Sequence, residues 1–227
     1  APGEVELQVR AIGLNFKDVL NVLGELPLRF LTPPGDDCAG IVADEARNVG
    51  LKKGDEVFGM ATGCLPCFVR ARTHVWLVMC RPPEISAQHA CTLPATWSTV
   101  HDVLRRSALH GQQSFLLHAA AGGVGLVAVE YLHQLDVSML ATAGHGTKHA
   151  ILHNLDVRAR CSSREALAFG LGLMHLKPRK RVHGICNSLS NDFIALSMAS
   201  CSEGGCFEEI GKRGAWSISR MRAAQEL

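Results

Sequence analysis

No apolar run in these 227 residues approaches the roughly 18 needed to span a bilayer, and the first residues lack the charged-then-apolar order of a secretory leader. Neither a membrane span nor an exported precursor is expected. Charge of one sign is equally scarce: 23 Lys and Arg stand against 21 Asp and Glu, a net of +2, so nothing demands nucleic acid or another polyanion. A disulfide framework is missing too. The nine cysteines are odd in number and, apart from Cys64 and Cys67, stand singly, which fits a reducing compartment and a soluble, cytoplasmic protein. Repeats and low-complexity tracts are absent. With 47% hydrophobic and 19% charged residues, the composition is that of a globular protein with a sizeable core.

What is present divides into two parts. Val5, Leu7, Val9 and Ala11 alternate with polar neighbours, so the chain opens within a strand. From there to about Met79, short apolar runs at 41–43, 56–60 and 75–78 are broken by glycine and proline, the pattern of a small, mostly β domain. A short helix is expected inside it at 16–23, where Val19, Leu20 and Leu23 share a face. After Pro82 and Pro83 the character changes: Ser86 can cap a helix, and Val100, Val103 and Leu104 give 97–108 helical spacing. The boundary is therefore drawn near 83, giving domains 1–83 and 84–227. Strands at 114–118, 137–141, 182–186 and 206–210 alternate with helices at 123–135 and 192–199, which predicts an α/β domain with a doubly wound parallel sheet.

The first of those strands carries the main functional signal. Phe115, Leu116 and Leu117 run through His118 into Ala119, Ala120, Ala121, Gly122, Gly123, Val124 and Gly125, a loop of small residues that opens a helix. A helix N-terminus offers N–H groups and partial positive charge to a pyrophosphate, and small residues let the backbone come close. Gly125 suits tight helix packing. This places a dinucleotide on Ala120, Gly122, Gly123, Val124 and Gly125, against the alternative of glycines that only turn the chain. An NAD site usually offers a carboxylate to the ribose about 20 residues on. Here the second strand runs out into Ala143, Gly144, His145, Gly146, Thr147 and Lys148, without an acid. Lys148, with His145 or His149, would instead attract a 2′-phosphate, so NADPH is favoured.

Taken with residues 9–24, 34–42, 54–61, 118–126, 187–189 and the Glu-Ile-Gly-Lys-Arg run at 209–213, this loop resembles the enoyl reductase domains of polyketide and fatty acid synthases, zinc-independent medium-chain reductases. The resemblance implies a GroES-like β domain ahead of a Rossmann domain, with nicotinamide in the cleft between them. It further implies hydride transfer from NADPH to a 2-enoyl thioester on an acyl carrier protein, beside neighbouring synthase domains. Asn15, Thr99 and Asn187 fall at family positions near the cofactor, and Gly144 at the end of the second strand. Lys148 and Glu165 fall where proton delivery has been placed, Glu165 replacing the usual Asp. Lys148 has the 2′-phosphate, the proton and a merely solvated role as alternatives.

Several positions depart from the family. Leu26 stands before Pro27 where many bacterial polyketide reductases have a tyrosine, which leaves the proton donor open. Residues 34–37, Pro-Gly-Asp-Asp, replace the Gly-His-Glu of zinc-dependent relatives, and the Cys64/Cys67 pair has no second pair, so no metal is expected. The basic run at 177–181 reads as a solvated turn, or as a docking patch for an acidic carrier protein. The chain also stops soon after the Glu-Ile-Gly-Lys-Arg strand, so a C-terminally truncated fold is expected, with apolar surface left uncovered and association into a homodimer open. Two further readings stay beside the leading one: a free-standing quinone or enone reductase, and a truncated, inactive NADPH-binding or structural piece.

Overall fold

The structure, a computed structural model, describes residues 4–26, 32–44, 50–72, 78–176, 181–211 and 217–225. Two compact units emerge, dividing after Ser98.

The first unit is built on β1 (Glu4–Gly13), α1 (Phe16–Val22), β2 (Asp37–Asp44), β3 (Glu56–Met60), β4 (Phe68–Arg72), β5 (Val78–Cys80) and α2 (Ala87–Ala90). Its sheet has the order β4-β1-β2-β3-β5, with antiparallel pairs throughout. Because side chains alternate across a strand, Val5 and Leu7 of β1 enter one core together with Cys38, Val42, Val57 and Ala71. The β5 strand is seen from Val78; 75–77 lie outside the described residues.

The short helix expected at 16–23 is α1; of Val19, Leu20 and Leu23 along it, Leu20 is buried and Val19 and Leu23 are exposed. Polar anchoring outweighs apolar spacing in this two-turn helix, because the buried Asp18 carboxylate accepts from Asn15 N–H at 2.8 Å and Gly35 N–H at 2.9 Å. The two units divide after Ser98, so the boundary drawn near residue 83 lies within the first of them. Ser86 caps α2 as expected, accepting from His89 N–H at 3.2 Å. That short helix then packs Ala90 and Cys91 on Ala39 of β2, which binds the segment beyond the prolines to the first sheet.

The second unit takes up most of α3 (Pro94–Ser107) and continues with β6 (Ser114–Leu117), α4 (Gly123–Gln134), β7 (Ser138–Ala143), α5 (Gly146–Asn154), β8 (Ala159–Ser162), α6 (Ala166–Leu176), β9 (Val182–Asn187), α7 (Asp192–Ser200), β10 (Cys201–Glu209) and α8 (Ile218–Gln225). The sheet order is β10-β9-β6-β7-β8, all parallel. Phe115, Leu116 and Leu117 of β6 are all buried, as a strand covered on both faces requires. On α4 the buried positions are Gly125, Ala128, Val129 and Leu132, the i, i+3, i+4, i+7 stripe of a core-facing helix. Helix α6 lacked any readable period because it is apolar all round: Phe169 is buried, whereas Leu167, Leu171 and Met174 form an exposed stripe. Among the described residues no helix is long and apolar enough to cross a membrane.

The chain runs from β6 outward through β7 to β8, then returns to β9 on the other side of β6. Connections leaving β6 and β9 therefore diverge at the C-terminal edge of the sheet, the place where open α/β sheets bind ligands.

Candidate functional site

At that edge, β6 leads into a turn held by β7. His118 N–H donates to Cys186 O at 3.1 Å, after which Ala119 takes a left-handed φ of 50°. Ala119 N–H donates to the Thr142 hydroxyl oxygen and Ala120 N–H to the Thr142 carbonyl, both at 3.0 Å. Gly122 closes the turn by donating to Ala119 O at 2.8 Å and is the N-cap of α4; Leu126 N–H returns to Gly122 O at 2.9 Å. The N–H groups of Gly123, Val124 and Gly125 form the first helical turn, where no intrahelical acceptor exists. A Cβ on Gly125 would stand 2.5 Å from Ala120 Cα, so only glycine lets the helix approach the loop this closely. The result is a bare backbone edge with a helix dipole behind it, suited to a pyrophosphate.

At the neighbouring strand end, Gly144 lies beneath a side chain that the sequence reading did not single out. A Cβ on Gly144 would meet Arg164 Nε at 2.6 Å. Arg164 Nη2 donates to His145 Nε2 at 3.0 Å, since a guanidinium has donors only. The cation at the end of β7 thus comes from the β8–α6 connection, one residue before Glu165. Inspecting each strand end for basic residues, and not the second alone, would have found it. Lys148 sits exposed in the first turn of α5, and Glu165 is exposed just before α6, its carbonyl accepting from Phe169 N–H at 3.0 Å. Among the described residues no ion pair joins the two.

The third contribution comes from β9. Asn187 is fully buried; its amide nitrogen donates to Leu189 O at 2.8 Å and to Glu209 Oε2 at 2.6 Å. Its Oδ1 and the Ser188 hydroxyl are buried with no partner among the described residues. Leaving such a group unpaired costs about 1–3 kcal/mol, a cost that a bound donor would offset. The structure thus brings Ala120, Gly122, Gly123, Val124, Gly125, Gly144 and Asn187 to one edge of one sheet. Thr99, half-buried on α3, belongs to the same unit.

Asn15 belongs to the first unit, where it caps α1. Its amide nitrogen donates to Asp37 Oδ2 at 3.0 Å, and Ala95 N–H donates to the same carboxylate at 3.2 and 3.3 Å. Burial pushes the Asp37 pKa up to about 6, with the Asn15 bond opposing the rise. Next to it, Lys17 Nζ pairs with Asp36 Oδ2 at 2.6 Å. Three buried carboxylates, Asp18, Asp36 and Asp37, thus position Asn15 and its helix. The signal for Asp36 and Asp37 was the Pro-Gly-Asp-Asp run, visible in the sequence but assigned no positive role. Cys64 is buried, its thiol donating to Ala61 O at 2.5 Å, while Cys67 is exposed. Among the described residues, no three or more His, Cys, Asp or Glu side chains are grouped to hold a metal. Leu26 is buried; Pro27, residues 177–180 and Lys212 with Arg213 lie outside the described residues.

The two units have known counterparts. Residues 1–98 match the alcohol dehydrogenase GroES-like domain, and with the parallel sheet that follows they define a medium-chain dehydrogenase/reductase. The chain is 35% identical over 219 residues to the spectinabilin polyketide synthase system protein NorB of Streptomyces orinoci, an alignment covering 93% of this chain and 10% of that protein. The crystal structure of the CurK enoyl reductase matches with a TM-score of 0.89 and 31% identity, over 98% of this chain and 70% of that one. A mycobacterial protein solved with NADPH shares the fold at a TM-score of 0.86 and 22% identity, over 99% of this chain and 72% of that one. The chain belongs to the enoyl reductases of polyketide synthases. It spans about a tenth of the length of the synthase relative and 70% of the solved enoyl reductase.

Proposed function

We propose that this chain binds NADPH at the loop of residues 119–125 and reduces the 2,3 double bond of an enoyl thioester carried on an acyl carrier protein, working beside other domains of a polyketide synthase. The observation that carries the cofactor assignment is the Arg164 guanidinium over Gly144, at a strand end without an acid, on the same sheet edge as the glycine loop. The residues present fit the group. The first turn of α4 would hold the pyrophosphate, and Arg164, with Lys148 on α5, would hold the 2′-phosphate. Asn187 Oδ1, buried and unpaired among the described residues, would accept an N–H from the ligand. When bound, the dinucleotide supplies the hydride.

The remaining roles follow the family. Asn15 is assigned to the nicotinamide side, held in place by Asp37. Glu165 is assigned to proton delivery, with proton delivery the alternative role of Lys148 where Arg164 alone holds the 2′-phosphate; both side chains are exposed to solvent. NADPH oxidation by the full chain, measured with a crotonyl-pantetheine thioester and separately with a simple quinone, tests the reading. Turnover of the thioester is expected. Turnover of the quinone alone makes the protein a quinone reductase, and tight NADPH binding without turnover of either makes it a binding module.

A further inference from the structure

Beneath the glycine loop lies a buried polar cluster of Thr142, His118 and Ser197. Thr142, the fifth residue of β7, is fully buried and holds two consecutive N–H groups of the loop, Ala119 on its hydroxyl and Ala120 on its carbonyl. Ala119 needs such a hold because a residue with a Cβ disfavours φ of 50°. Behind Thr142, His118 Nδ1 lies 3.3 Å from the same hydroxyl, and His118 Nε2 lies 2.8 Å from the Ser197 hydroxyl on α7. All three side chains are buried. In either neutral tautomer the imidazole has one N–H and one lone pair, so the two hydroxyls satisfy both ring nitrogens. Phe169 and Phe193 flank the ring at centroid distances of 5.3 and 6.5 Å. Burial pushes the His118 pKa down to about 3, so the ring stays uncharged. A buried polar chain stabilises one arrangement when every member is satisfied, and this one runs from α7 to the residues that turn the chain out of β6.

We propose that Thr142 is a positioning residue for cofactor binding: its hydroxyl locks the Ala119–Ala120 turn, and His118 with Ser197 fix the Thr142 rotamer. The proposal rests on residues 119–125 being the dinucleotide site. The bond from Ala120 N–H to the Thr142 carbonyl survives any side-chain change, so the share of the hydroxyl is separable. Thr142→Val keeps the branched shape and leaves Ala119 N–H without a partner; Thr142→Ser keeps the hydroxyl.

The test measures, on the full chain, the NADPH dissociation constant by nicotinamide fluorescence and amide hydrogen exchange at ligand-free Ala119. Thr142→Val is expected to weaken NADPH binding about tenfold, equivalent to about 1.4 kcal/mol, and to speed Ala119 exchange. Thr142→Ser is expected to stay within about threefold of wild type in both, with Ser197→Ala between the two. Equal dissociation constants and equal Ala119 exchange for the Val and Ser variants overturn the proposal, whatever their melting temperatures. Should Thr142→Val fail to fold, Ser197→Ala carries the comparison, and wild-type values for it overturn the proposal. If wild type binds neither NADPH nor NADH, the cofactor reading falls by itself. Ala119 exchange then decides the hold of Thr142: faster exchange in Thr142→Val supports it, and unchanged exchange overturns it.

Discussion

Asn187 at the end of β9 donates to Glu209 Oε2 at 2.6 Å, tying two adjacent parallel strands side chain to side chain, while its own Oδ1 stays buried without a partner among the described residues. Partial burial already pushes the Glu209 carboxyl above its ordinary value. Asn187→Asp would exchange the donor for a second carboxylate. The variant is expected to lose about 1–3 kcal/mol of stability at pH 7, read by urea unfolding. The pair would hold a shared proton more tightly folded than unfolded, so the loss shrinks as the pH is lowered toward 5. A loss that is the same at both pH values would contradict the contact.

Gly125 and Gly144 are glycines for different reasons, and the two alanine variants separate them. A methyl on Gly125 meets Ala120 backbone at 2.5 Å, which cannot yield without moving the helix from the loop. Gly125→Ala is expected to cost about 1–3 kcal/mol and to weaken both dinucleotides together. A methyl on Gly144 meets the flexible Arg164 side chain, so Gly144→Ala should leave the melting temperature near wild type.

Arg164 should matter to one dinucleotide only. Its bonds to a 2′-phosphate would be charge-assisted, worth about 1.5–3 kcal/mol, so Arg164→Gln is expected to weaken NADPH by roughly tenfold or more and NADH hardly at all. Paired titrations with the two dinucleotides give the comparison. An equal loss for both would remove Arg164 from the phosphate site.

Two buried groups give opposite pH slopes in the two units. His118 falls from 6.5 to about 3 on folding, so the unfolded chain takes its proton first and the second unit loses stability as pH drops from 6.5 toward 3. Asp37 rises from 3.8 to about 6, so its contribution is full below 3.8 and is lost as pH climbs through 6. Amide exchange resolved by residue, run between pH 4 and 6.5, is expected to show the slopes separately. His118→Gln should flatten the first and Asp37→Asn the second.

Much of this architecture could be read from the chain because its signals are local. The β6–α4 loop is spelled out by consecutive small residues, and the α3 and α4 stripes repeat at helical spacing. What was illegible depends on partners distant in sequence. The exposure of Val19 and Leu23 follows from Asp18 being anchored by Gly35 N–H, and nothing in the spacing of α1 announces that bond. The apolar sequence of α6 hides which face is buried. Arg164 reaches Gly144 from another strand end, and Thr142 and Ser197 meet through His118; each pairing exists only once the sheet has formed.

The central claim is an NADPH site at the edge of the parallel sheet. Titrating wild-type chain with NADPH and with NADH while following nicotinamide emission tests it most directly. Saturable enhancement with NADPH, at concentrations roughly tenfold or more below those needed for NADH, is the expected result, in line with the charge-assisted bonds assigned to Arg164. No change in emission with either dinucleotide would contradict it.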